Sequence, residues 1–140
     1  MKTVIALWGA ANIGKTTTLK IVHKNLLKLS TDKLLKFSIN NSDIREIFII
    51  NGLKVGIETQ GDPNSRLAES LNIFQQQGCE VIICATRTRG KTAELVGELK
   101  TKYNLSWRGH SVVSLEKQRK ESNRSIAKLI INEAKENIYA

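Results

Sequence analysis

No stretch of this 140-residue chain approaches the roughly 20 consecutive apolar residues that a bilayer-crossing helix needs, so no membrane partner is expected. Cysteine is scarce too. Cys79 and Cys84 flank one expected strand. Five positions apart in extended chain they should point to opposite faces, which argues against a mutual disulfide and against a metal clip. Reduced, buried thiols are the expectation. The two histidines, His23 and His110, are isolated and suggest neither a metal site nor a catalytic triad, and serine or cysteine nucleophile arrangements are missing. There is no internal repeat, low-complexity tract or linker, so residues 1–140 read as one domain, with room for one core but only a brief substrate lid. A hydrophobic content of 41% excludes wholesale disorder. The start, Met1-Lys2-Thr3-Val4, commits too early to a strand for a signal peptide, and a cytoplasmic location is expected.

What the chain does contain begins at Gly9. Residues Gly9-Ala10-Ala11-Asn12-Ile13-Gly14-Lys15-Thr16 follow the spacing G-x-x-x-x-G-K-[ST] at every fixed position. The apolar run Thr3–Trp8 before them reads as a buried strand, and Thr16–Leu29 has helical spacing, so the glycines fall at a strand-to-helix turn. There they permit torsions and close approach that a Cβ would block, while backbone N–H groups from Ala10 to Thr17 and the helix N-terminus can cradle phosphate oxygens. Lys15 would reach the β- and γ-phosphates and Thr16 would ligate Mg²⁺. This stretch resembles the P-loop NTPases, a superfamily of doubly wound nucleotide-binding domains. The resemblance implies a ligand rather than a reaction, since kinases, switches, ATPases and motors share the motif.

The rest of the chain alternates in the manner of an α/β fold. The first helix carries Leu19, Val22, Leu26 and Leu29 on one face. Ile44–Ile50 and Leu53–Thr59 are β-rich runs joined by Asn51-Gly52, a strong hairpin signal because both central residues of a type I′ turn need positive φ. A helix is expected from Pro63 to Gln77 with Leu67, Leu71 and Phe74 inward and Gly78 as its C-cap. Then come a strand Val81–Ala85, a helix Lys91–Tyr103, a strand Ser111–Leu115, and a helix Glu121–Tyr139 burying Ile126, Ile130, Ala134 and Ile138. The expected architecture is a three-layer P-loop fold, with a mostly parallel five-stranded sheet and one antiparallel edge strand from the hairpin.

The hairpin leads into Glu58-Thr59-Gln60-Gly61-Asp62. A strand ending in an acid beside the phosphate loop is where a metal-holding or attack-polarising carboxylate sits. Glu58-x-x-Gly61 resembles the D-x-x-G of small GTPases, whose glycine senses the γ-phosphate, although the acid here is Glu. Asp62, followed by Pro63, reads first as a helix N-cap. The N-K-x-D stretch by which guanine-specific members read their base occurs nowhere in the chain, so ATP is the expected nucleotide.

A third signal is Thr86-Arg87-Thr88-Arg89-Gly90-Lys91-Thr92, at the C-terminal edge of a parallel strand where ligands bind in such sheets. Arg87 and Arg89 could neutralise transferring phosphoryl oxygens or grip an acidic substrate; the plainer alternative is a solvated turn with Thr88 or Thr92 capping a helix. The net charge of +9 is regional: residues 86–128 hold 11 basic and 4 acidic side chains. With Trp107 for stacking, that region could attract nucleic acid or an acidic partner, or be no more than a solvated basic surface. The expected activity is thus Mg²⁺-dependent ATP hydrolysis or phosphoryl transfer. Lys15, Glu58, Arg87 and Arg89 would be catalytic, and Thr16 and Glu58 would hold metal. A nucleotide-gated switch or a nucleic-acid-binding regulatory module is the alternative.

Overall fold

The computed structural model describes residues 2–9, 14–39, 43–110 and 116–140, with the backbone alone for 34–39. Among them, six strands form one mixed sheet: β1 (Thr3–Trp8), β2 (Asp32–Ile39), β3 (Asp43–Ile50), β4 (Leu53–Glu58), β5 (Val81–Thr86) and β6 (Asn104–Gly109), ordered β2-β3-β4-β5-β1-β6. Strands β4, β5, β1 and β6 run parallel, and β2 and β3 add an antiparallel flank. The four helices are α1 (Lys15–Leu27), α2 (Leu67–Gln76), α3 (Lys91–Gly97), which tightens into a 3-10 turn over Glu98–Thr101, and α4 (Glu116–Ile138). None of the helices among the described residues is long and apolar enough to cross a membrane.

Strands β1 and β5 are apolar at almost every position because both their faces are covered. Ile5, Leu7, Ile83 and Ala85 pack with Leu19, Val22 and Leu26 of α1 and with Ala127, Ile130 and Ala134 of α4. One residue out of phase, Val4, Ala6, Ile82 and Cys84 pack with Leu67, Leu71 and Phe74 of α2 and with Val96 of α3. The period of two therefore assigns each strand residue to one helical layer or the other. Gly56 of β4 lies against the Phe74 ring, where an added Cβ would come within 2.8 Å of the ring carbons. Gly56→Ala is expected to lower stability by about 1–3 kcal/mol through overpacking, read from the urea midpoint. An unchanged midpoint would mean that α2 can retreat from β4 without cost.

Among the described residues the sheet has six strands, two of which, β2 and β6, were not expected. Strand β2 follows α1, and its register shifts between Lys33 and Leu35. That bulge places Leu34 and Leu35 side by side in sequence and breaks the alternation by which a half-buried strand is recognised. The expected strand Ser111–Leu115 falls outside the described residues. Among the described residues the edge at that side is β6, whose Asn, Ser, Trp and Arg are half-buried or exposed, as an edge strand tolerates.

Helix α2 starts at Leu67, not Pro63. Residues 62–65 instead form a turn in which the Ser65 N–H donates to Asp62 O (3.2 Å) and Asn64 has φ 60°. Asp62 is thus no helix cap. The Asn51-Gly52 turn has positive φ at both residues, and Gly78 follows α2 at φ 75°. Cys79 and Cys84 are free and buried but share the α2–α3 layer rather than opposite faces, because Cys79 precedes β5 and does not follow its alternation. Burial pushes both thiols up to about 12, so they are unreactive as nucleophiles.

Candidate functional site

Strand β1 ends at Trp8 and α1 begins at Lys15, so the glycine-rich turn lies at the C-terminal edge of the parallel strands. Of that turn, Ala10, Ala11, Asn12 and Ile13 lie outside the described residues. Gly14 adopts φ 97°, the left-handed region in which a Cβ is strained, and enters α1 directly. The Lys15 side chain does not extend into solvent. It is 7% exposed, and its Nζ donates to the carbonyl oxygens of Gly9 (2.6 Å) and Thr86 (2.9 Å). The ammonium thus joins the residue that follows β1 to the last residue of β5. Desolvation lowers its pKa, opposed by the Asp62 carboxylate and reinforced by the Arg87 guanidinium.

A cavity of about 780 Å³ opens over this point, lined by Gly14, Lys15, Thr16 and Thr17 on one side and by Asp43 and residues 59–65 on another. The first turn of α4 closes the third side with Glu116, Arg119 and Lys120, and Asn123 lies behind them. Gly61 belongs to this lining and rests on β5 so closely that a Cβ would lie 2.3 Å from Ala85 O, a backbone atom of a core strand. Only glycine can bring the β4–α2 loop over the cavity by this route. The loop is anchored further by Asp43, which accepts from Thr59 Oγ1 (2.9 Å) and Gln60 Nε2 (3.2 Å).

Glu58 occupies a different place from the one its position in the sequence suggests. Strand β5 lies between β4 and β1, so the strand carrying Glu58 is not the neighbour of the strand carrying the turn. Because Ile57 faces the α1–α4 layer, Glu58 faces α2. It is fully buried there: Arg66 Nε donates to Oε1 (2.7 Å) and Arg66 Nη2 to Oε2 (3.2 Å), Ser70 Oγ donates to Oε1, and the Gln60 N–H donates to Oε2 (3.1 Å). Arg45, the cross-strand partner of Glu58, reaches Ser70 and pairs with Glu69. A carboxylate held by a bidentate arginine, a hydroxyl and an amide anchors the start of α2 and is absent from the cavity lining. Glu58→Gln would remove the bidentate carboxylate partner of the nearly buried Arg66 guanidinium. The expected loss is about 3 kcal/mol of stability, measured by chemical denaturation. A wild-type midpoint would show that the carboxylate is not a structural anchor.

The arginine loop divides. Arg87 Nε donates to Asp62 Oδ1 (2.8 Å), an ion pair at the cavity rim with the two side chains 35% and 63% exposed. Its backbone N–H donates to Thr92 Oγ1 (3.0 Å), so Thr92 braces the loop while Gly90 occupies the N-cap of α3. Arg89 points elsewhere and lines a groove with Trp8, Trp107 and Glu94 beside α3. The basic residues of 86–128 are likewise split between the two helical layers: Lys91 and Lys100 lie in α3 and its 3-10 turn, whereas Lys117, Arg119, Lys120, Arg124 and Lys128 lie in α4 and Arg108 binds Glu133 of α4 (2.9 Å). No single described face collects the regional charge.

Sequence reasoning passed over four residues that the fold brings to this end of the sheet: Asp43, Arg66, Asn123 and His110. Isolated polar residues in unrelated segments carry no spacing signal, and only the chain path makes them neighbours. Set against protein-family models, curated proteins and solved structures, the chain matches none of them.

Proposed function

We propose that the protein is a Mg²⁺-dependent ATP-binding phosphohydrolase or phosphotransferase acting at the cavity over Gly14–Thr17. The observation that supports this most is the desolvated Lys15 ammonium, held by two strand-end carbonyls at the start of a 13-residue helix and opening on a cavity of nucleotide dimensions. A cation buried without a carboxylate of its own is costly, and a polyanionic ligand supplies the missing charge. Lys15 would hold the β- and γ-phosphate oxygens, assisted by the backbone N–H groups at the helix start.

The residues present fit a magnesium ion. Among the described residues no group of three or more His, Cys, Asp or Glu side chains is arranged to hold a metal by itself. Mg²⁺ in nucleotide sites needs only one or two protein oxygens beside phosphates and waters, and the cavity offers the Thr16 hydroxyl and the Asp43 and Asp62 carboxylates. Asp62 takes the place first expected of Glu58, since both Glu58 oxygens are engaged by α2 and its approach. Held there beside the phosphates, the ion would supply neutralisation of the charge that develops on them. Gly61, pressed onto β5 at the same rim, would register the terminal phosphate through its backbone.

A second reading, a nucleotide-gated switch, is favoured by one observation. The Asp62–Arg87 pair ties the β4–α2 loop to the β5–α3 loop at the surface, so a terminal phosphate competing for Arg87 would release one loop from the other. Titration calorimetry with Mg-ATP and a single-turnover assay of phosphate release test the proposal. Micromolar binding with turnover is expected; a folded protein that binds no Mg-ATP would overturn both readings, and tight binding with negligible turnover would favour the switch.

A further inference from the structure

We propose that Asn123 is a further nucleotide-contacting residue, its carboxamide nitrogen presented to the phosphate cavity by His110 and Thr18. The inference rests on the nucleotide reading of the cavity and adds to it a donor from the opposite wall. Asn123 lies in α4, is 7% exposed, and lines the cavity with Gly14–Thr17. Its carboxamide lies against Gly14: an added Cβ there would meet Asn123 Oδ1 at 2.7 Å, Nδ2 at 3.0 Å and Cγ at 3.2 Å. The residue that must be glycine for its torsion is therefore also the floor under this amide.

The hydrogen bonds determine which end of the amide faces which way. Thr18 Oγ1 donates its one proton to Gly14 O (2.8 Å), so towards the histidine it can only accept. His110 Nε2 lies 3.1 Å from that oxygen and must carry the proton. A protonated Nε2 cannot face an amide NH₂, so the Asn123 atom 2.6 Å away from it is the carbonyl Oδ1. Nδ2 is thereby directed away from His110, and it donates to no atom among the described residues. All three side chains that settle this orientation are buried, and they tie β6, α1 and α4 together at the phosphate end of α1.

An NH₂ group with no partner among the described residues, on a residue 7% exposed at the wall of a polar cavity, calls for an acceptor. The one supplied by the nucleotide reading is a phosphate oxygen above Gly14. Asn123 would donate to that oxygen, and His110 is a positioning residue that acts through it. This also assigns α4 a part in binding: the helix that covers one face of the sheet would close on the nucleotide from the side opposite the β4–α2 loop.

Asn123→Asp isolates the donor, because it keeps the oxygen that His110 needs and replaces only the NH₂. The expected result is an unchanged thermal midpoint with Mg-ATP affinity lowered by about 30-fold or more, and Asn123→Ala should lower affinity by about 10-fold, the equivalent of one charge-assisted hydrogen bond. His110→Gln should cost affinity in the wild-type background and nothing further beside Asn123→Ala, as coupled residues require. Wild-type affinity in folded Asn123→Asp would overturn the assignment. So would a loss that occurs in Asn123→Asp alone and disappears at high salt, since that is repulsion through space rather than a contact. Lys15→Ala measured alongside separates the levels: affinity lost there but intact in both Asn123 variants defeats this inference only, whereas absence of Mg-ATP binding by the wild type defeats the nucleotide reading and this inference with it.

Discussion

Lys15→Ala is expected to lower Mg-ATP affinity by about 100- to 1,000-fold while the fold persists, corresponding to the loss of about two hydrogen bonds from a charged donor. The apo protein should not suffer. Lys15 pays for its burial, since desolvation lowers its pKa and the protonated side chain is therefore less favourable in the folded than in the unfolded chain. That penalty is complete below the lowered folded-state value and diminishes as pH rises through it towards the ordinary lysine range. Replacement by alanine removes the penalty together with two hydrogen bonds to Gly9 and Thr86, so the apo melting temperature should change little, while the shift induced by Mg-ATP disappears. Calorimetry and paired melts, with and without Mg-ATP, measure both effects. A folded Lys15→Ala protein with wild-type affinity would refute the phosphate site.

Arg87→Ala should lower the single-turnover rate of ATP cleavage on the order of 10³-fold and alter nucleotide affinity only a few-fold, as for an arginine that meets charge developing at the terminal phosphate. Arg87 is held by Asp62 at 2.8 Å, an exposed pair that contributes little to stability and is readily exchanged. On the nucleotide reading, Asp62 would keep the guanidinium at the cavity rim until a phosphate took it over. Wild-type turnover in Arg87→Ala would refute the catalytic assignment. Loss of single-stranded nucleic-acid binding without loss of turnover, with a flatter salt dependence, would move the basic region to first place. Arg89, on the tryptophan groove, should leave turnover unchanged and serves as the internal control.

How far the chain could be read in advance depended on the range of the interaction. Strand β1, helix α1, the hairpin turn at Asn51-Gly52 and the inward faces of α2 and α4 were legible because period, apolar runs and turn residues are local properties. Strand β2 was not, since a bulge at Leu34 interrupts its alternation, and neither was β6, a polar edge strand whose pairing with β1 crosses most of the chain.

The same division runs through the site. The G-x-x-x-x-G-K-[ST] spacing placed Lys15 and Thr16 at a strand-to-helix connection from sequence alone, because two glycines and a lysine at that spacing constrain a short stretch of backbone. What Glu58 does could be decided only in three dimensions. Its place in β4, one step out of phase with Ile57 and one strand removed from β1, turns it towards Arg66 and Ser70 and away from the cavity. The partners of Arg87, and the assembly of His110, Thr18 and Asn123 over Gly14, likewise depend on segments 13 to 92 residues apart in the chain being packed within hydrogen-bonding reach, for which no local pattern in a sequence carries a signal.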